Sequence, residues 1–144
     1  MTVDQADPEQ IGHPNRMEQL SREECLEGLG RSYLGRIGFL REGKFSMLPA
    51  NYMFADGAIY IATVMGGSMS HLDAQDVAFE VDSVRPLTHS GWSVVVQGVA
   101  TLLSDPREIE DLTRGPLQSW AWRQPDQWLR ISADNVTGRR VLES

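Results

Sequence analysis

The chain has one cysteine, Cys25, in 144 residues. A lone thiol excludes an internal disulfide and any metal centre built on paired thiolates. No apolar run approaches the roughly 20 residues that a membrane-crossing helix needs. The opening residues, MTVDQADPEQIGHPNR, lack the apolar segment of a secretory signal, so a cytoplasmic protein is expected. Positive charge is also scarce: 13 Lys and Arg stand against 20 Asp and Glu, for a net charge of −7, and the cations form no block. Phosphate backbones and anionic lipid surfaces are held by surplus cations, so neither nucleic acid nor a membrane is an expected partner. The three histidines, His13, His71 and His89, have no ligand spacing, and no metal is expected.

What is present describes one soluble-type domain with an arm. The 41% hydrophobic content is ordinary for a globular chain of this length, which is long enough to bury a core. Residues 1–19 carry two prolines and no periodicity, and they read as a flexible N-terminal arm before a domain over residues 20–144. Ser21 with Glu24 three residues later is a capping-box pattern, and Cys25, Leu26 and Leu29 give the following helix an apolar side.

From Leu34 the apolar period shortens to two. LGRIGFL (34–40), KFSMLPANYMF (44–54), AIYIATV (58–64), VAFEVDSV (77–84), WSVVVQGVATLL (92–103) and QWLRIS (127–132) read as strands, with a short last strand near Thr137–Leu142. Glu42-Gly43 and Asp56-Gly57 are two-residue hairpin turns. Pro49 lacks an N–H, which places its strand at an edge, at a bulge or against a ligand. Asp105-Pro106 opens a second helix with Ile109 and Leu112 on its buried side. The pattern predicts an α+β domain, a small antiparallel barrel with peripheral helices.

Several apparent motifs fail on physical grounds. Gly28-Leu29-Gly30 starts like a dinucleotide fingerprint, but it follows a helix and has Tyr at position 33. Gly91-Trp92-Ser93 starts like a nucleophile elbow, yet the required fifth glycine is Val95. Cys25, on the apolar stripe, reads as a small buried hydrophobe rather than a nucleophile. Trp92, Trp120, Trp122 and Trp128 suit a core or a subunit interface, with a wall against a flat ligand as the functional alternative.

TVMGGSMSHL (63–72) is the stretch with the best case for holding an anion. Its glycines allow a bend, Ser68 and Ser70 offer hydroxyls, and a short helix beginning there would aim free N–H groups at a phosphate. Against this, no Lys or Arg occurs between Lys44 and Arg85, and Ser68 serves equally as a helix cap.

The order of segments resembles the pyridoxamine 5′-phosphate oxidase-like, flavin-nucleotide-binding split-barrel family, in its short bacterial branch. The resemblance is carried by GRIGF (35–39), LPANY (48–52), IYIAT (59–63), VAFEVD (77–82), SGWSVVVQG (90–98) and VTGRR (136–140), in family order. It implies a six-stranded antiparallel split β-barrel of Greek-key type, forming a homodimer with flavin mononucleotide (FMN) in two clefts at the interface. The implied flavin-contacting residues are Ser46, Met47, Leu48, Pro49 and Asn51 along the ring. Ala62, Thr63, Ser68 and Met69 would lie at the phosphate, and Trp92 and Ser93 would line the cleft. The deazaflavin F420, with its acidic tail, suits an acidic chain less well.

One departure stands out: Ser68 and Met69 occupy the positions where such proteins carry Arg or Lys. Two functions follow from the resemblance. One is a flavin-dependent oxidoreductase acting on a small molecule, with no catalytic side chain assignable. The other is a non-catalytic dimeric barrel, a ligand-binding or sensor protein with weak or lost flavin binding.

Overall fold

The structure, a computed structural model, describes residues 16–63, 65–114 and 127–142. His13, Trp120 and Trp122 lie outside the described residues.

The first helix, α1 (Arg22–Arg31), starts where the capping box places it. The Ser21 hydroxyl accepts from the Glu24 N–H at 3.1 Å, and the Glu24 carboxylate accepts from the Ser21 N–H at 2.9 Å. Those two bonds satisfy two of the four donors that a helix N-terminus leaves unpaired. Cys25, Gly28 and Leu29 turn inward, and burial pushes the Cys25 thiol up from its ordinary pKa. The inert reading of this cysteine follows from that burial.

Strands β2 (Leu34–Arg41) and β3 (Lys44–Asn51) form a hairpin about Glu42 and Gly43, both with positive φ, as the tight turn matching strand twist requires. The long segment 44–54 is two strands rather than one. Tyr52 breaks it: its N–H bonds Tyr33 O at 2.9 Å and its ring turns into the core against Phe79. The chain resumes as β4 (Met53–Ala55), turns at Asp56-Gly57, and continues in β5 (Ala58–Thr63), buried along its whole length. Then follow β6 (Asp76–Arg85), β7 (Ser90–Leu102), α2 (Pro106–Thr113), β8 (Gln127–Ser132) and β9 (Asn135–Leu142).

Within the stretch read as an arm, Arg16–Gln19 form β1, antiparallel to β9. This raises the sheet to nine strands, in the order β3-β2-β6-β7-β8-β5-β4 with β9 beside β7 and β1 beside β9. The α+β split-barrel class holds. The sheet has nine strands rather than six: the seven runs read from the pattern all form, β4 separates from β3 at Tyr52, and the arm contributes β1.

Strand β7 is the hub. Gly91–Gln97 pair with β9, Ala100–Leu102 pair with β8, and the other edge pairs with β6. The main core lies inside this curved sheet, where Ile37, Phe79, Val81, Val94, Val96 and Ile131 are almost fully buried. A second cluster joins Trp128 to Ala58, Tyr60, Ala62 and Leu112, so this tryptophan is core. No helix among the described residues is long and apolar enough to cross a membrane.

Candidate functional site

Strand β3 ends the sheet path and has only β2 as ladder partner among the described residues. The pair flanking a two-residue hairpin exchanges both backbone hydrogen bonds, and bonded pairs then recur at every second residue. With Arg41 opposite Lys44, the N–H groups of Ser46, Leu48 and Ala50 therefore point to β2. Those of Phe45 and Met47 point away, and Pro49 sits where an N–H would face outward. The proline thus lies on an edge strand at a position that asks nothing of its nitrogen.

The side chains alternate with the opposite consequence. Ser46 and Leu48 are half-buried and face inward with Ala50, while Phe45, Met47 and Pro49 are exposed. Asn51 is half-buried at the strand end. Beneath Phe45 and Met47, small residues at Gly38 and Ala78 leave a groove of about 670 Å³, also bounded by Leu40.

The TVMGGSMSHL stretch does not form a helix. After β5 the chain turns at Gly66 (φ +80°) and then at residues 67–72, with Ser70 N–H to Gly67 O at 3.1 Å and Leu72 N–H to Met69 O at 3.2 Å. There is accordingly no helix N-terminus at Ser68, and the charge that an aligned helix end supplies is missing. The Ser70 hydroxyl, one of the two candidate anion donors, instead donates to Gly67 O at 2.8 Å. Leu72 and Met69 pin the turn to the core, and the His71 ring meets Phe39 edge-on at 5.5 Å. Ser68 is left exposed, and Ala62 and Thr63 are buried at the end of β5, opposite Trp128 and Gln127 of β8.

Trp92 and Ser93 leave β7 on opposite faces. Trp92 packs inward on α1, where a Cβ added at Gly28 would lie 3.0 Å from its ring, so Gly28 is the seat of this indole. The sequence hides this pairing because its two members are 64 residues apart. Ser93 faces outward between Asp82 of β6 and Arg139 of β9, in a pocket of about 380 Å³. Since β2 and β6 separate β3 from β7, Ser93 lies three strand spacings from β3, about 14 Å. Within one protomer the residues of β3 and the pair at 92–93 are not brought together.

The arginines sort by partner. Arg140 is held by Glu24 at 2.7 Å, with Glu18 at 3.9 Å. The Ser21 N–H first, and the Arg140 bond second, lower the pKa of the Glu24 carboxyl. Arg36 is held by Glu80 at 3.2 Å and Asp82 at 3.3 Å, through one nitrogen. Arg139 has no carboxylate within salt-bridge distance among the described residues, and its guanidinium lies 3.6 Å from Met17 Sδ.

Glu80 is unusual. Burial first, and the neighbouring Asp82 second, raise its pKa to about 7, against the opposing pull of Arg36. This cluster was readable only in part. The alternation of β6 places Glu80 and Asp82 on one face, but their partner comes from β2, 44 residues away from Glu80.

The model of the family described as pyridoxamine 5′-phosphate oxidase matches residues 21–140. An uncharacterised protein of Mycobacterium tuberculosis is 33% identical over 130 residues, covering 86% of this chain and 85% of the relative. A Corynebacterium glutamicum structure, provisionally assigned as a pyridoxamine 5′-phosphate oxidase, is 30% identical with a TM-score of 0.75, covering 93% of this chain and 98% of that one. The FAD-binding protein of Mycobacterium smegmatis is 28% identical with a TM-score of 0.71, over 85% of this chain and 96% of that one. A free-edged β3 carrying LPAN, the hub strand carrying GWSVVVQG and the match across residues 21–140 together place this chain in the pyridoxamine 5′-phosphate oxidase family.

Proposed function

We propose that this protein is a homodimeric flavin-binding protein, with FMN as the cofactor, and a flavin-dependent oxidoreductase acting on a small molecule. The observation that carries the reading is the free edge of β3. It offers the Phe45 and Met47 N–H groups as donors beside a proline, so that edge can run along the rim of a flat heterocycle. The residues fit the ring end of a flavin in this respect. At the phosphate end they offer the exposed Ser68 hydroxyl and turn backbone, without a cation in the sequence between Lys44 and Arg85.

Ser93 lies about 14 Å from β3 in its own protomer, so its contribution comes from a second protomer laid across the first. When bound, the flavin supplies the hydride or electron chemistry. The chain binds it, orients it and excludes water. The similarity to the FAD-binding M. smegmatis protein supports a flavin, and the isoalloxazine and first phosphate are common to FMN and FAD.

Titration of colourless protein with FMN, followed by visible absorption, tests this directly. Saturation at tens of micromolar or below is expected, and absence of binding there overturns the flavin reading. Replacing Ser68 with Lys restores a charge-assisted phosphate contact and should tighten binding about 10- to 100-fold. An unchanged affinity would place the phosphate elsewhere. The exposed, uncharged Ser68 turn favours one second reading, a non-catalytic barrel with weak flavin affinity. Tight binding by the unmodified protein would remove it.

A further inference from the structure

The pocket of about 380 Å³ that spans β6, β7, β9 and β1 is built differently from the apolar groove beside β3. Ser93 is at its centre, opposite Asp82 of β6 on one side and opposite Arg139 of β9 on the other. An acid, a hydroxyl and a guanidinium therefore lie in a row across three strands. Asp82 and Arg139 are two strand spacings apart, about 10 Å, too far to neutralise each other.

The two charges are met in different ways. Asp82 already has Arg36 at 3.3 Å. Arg139 has no carboxylate within salt-bridge distance among the described residues, and its guanidinium meets the Met17 thioether at 3.6 Å. A thioether is a weak, uncharged acceptor, so it leaves the cation unbalanced. The walls beside that cation are apolar: Val84 is 65% exposed, Met17 39%, and Val141 stands opposite Met17. Gly91 leaves part of the floor without a side chain, and a Cβ there would lie 2.5 Å from Ser83 O. His89 and Ser90 complete the rim.

We propose that this pocket binds a small monoanionic carboxylate with an apolar body, its charged end on Arg139 and Ser93 and its body against Met17, Val84 and Val141. A guanidinium presents paired N–H groups that match the two oxygens of a carboxylate, and the Ser93 hydroxyl is placed to donate a further bond. The same arrangement disfavours a phosphate ester. That group carries nearly two charges at neutral pH, so one would be left facing Asp82 without a cation. Covering Val84 and Met17 adds apolar burial, which an inorganic anion cannot gain.

Ser93 is also the residue that the dimeric flavin reading brings to the ring from a second protomer, so a ligand held at Ser93 lies beside the flavin as its substrate. That role rests on the flavin reading. The binding does not, and it is measured on flavin-free protein.

Amide chemical shifts of nitrogen-15-labelled protein, titrated at neutral pH with benzoate, with uncharged benzamide and with inorganic phosphate, test the site. Benzoate should shift the amides of Gly91, Ser93 and Arg139 and saturate with a dissociation constant of about 1 mM or below. Benzamide and phosphate should each bind about tenfold or more weakly. Arg139→Gln should lose about 10- to 100-fold in benzoate affinity, and Ser93→Ala about 3- to 10-fold. Circular dichroism melts confirm that both variants are folded. Added to FMN-loaded protein, benzoate should also perturb the visible flavin band.

Absence of benzoate shifts at these amides overturns the site. A folded Arg139→Gln that binds benzoate like wild type overturns the role of the guanidinium, and phosphate binding tighter than benzoate overturns the ligand class. Amide shifts with an unchanged flavin band overturn the substrate role and leave the carboxylate site standing. Failure of the FMN titration removes the flavin reading and the substrate role together, while the amide shifts still decide the pocket.

Discussion

The strands β2, β6 and β7 present two faces of one sheet, built on one alternation of residues, and the faces end in different conditions. Inward, Ile37, Phe79, Val81, Val94 and Val96 interlock with α1 and β8, and almost nothing is exposed. Outward, Leu40 and Val99 flank Arg36, Glu80 and Asp82, and the apolar groups lie in solvent beside a charge cluster. The inner face gains its whole stabilisation when the protomer folds. The outer face holds its apolar area in reserve, as a surface does when it is completed by another molecule.

Substitutions on the two faces should separate cleanly. Phe79→Ala on the inner face deletes a fully buried ring packed on Tyr52, and the unfolding free energy should fall by about 3–5 kcal/mol in denaturant titration. Gly138→Ala should come next. Its Cβ would lie 2.8 Å from Cys25 Sγ and 3.0 Å from Ser93 O, and this overpacking should cost about 1–3 kcal/mol.

Tyr52→Phe removes the hydroxyl that donates to Leu29 O at 2.6 Å and leaves that carbonyl unbonded, a loss of about 1–2 kcal/mol. It carries a signature in pH as well. Burial raises the Tyr52 pKa from 10.0 to about 12, so its contribution is full below pH 10 and is lost as pH climbs towards 12. Alkaline unfolding of wild type should be steeper in that window than that of Tyr52→Phe.

Smallest of all should be Phe45→Ser on the outer face, within about 0.5 kcal/mol for the stability of the protomer. A large loss there would mean that the ring already packs within its own chain, and the contrast between faces would collapse.

The inner face was the more legible of the two. Period-two runs located β2 and β8 nearly to the residue, and positive φ at Glu42, Gly43, Asp56 and Gly57 matches the turn chemistry of those dipeptides. The capping box located the start of α1 because its signal is wholly local. Long-range events defeated the reading. Tyr52 ends β3 because a carbonyl at Tyr33 captures its N–H, and β1 exists only because β9 offers an edge to it. Ser68 offers a cap for a short helix after the Gly-Gly bend, yet Leu72 and Met69 are drawn into the core and the segment stays a turn. At the site, the period-two run locates β3, while Pro49 allows an edge, a bulge or a ligand contact without choosing among them. The separation of Ser93 from β3 and the seating of Trp92 on Gly28 depend on strand order, which periodicity does not encode.

The hub strand has a consequence for how the chain reaches this shape. β7 takes its ladder bonds on one edge from β6, but on the other from β8 and β9, which lie at 127–132 and 135–142. A growing chain on the ribosome that has just delivered β7 has therefore made a long apolar strand with one edge bare. Among the described residues, none made up to that point pairs with it. The sheet closes on that edge only after β8 and β9 have emerged, so folding waits on distant contacts. Such topologies fold slowly, on the scale of about milliseconds to seconds, and the half-made chain is the form most exposed to aggregation.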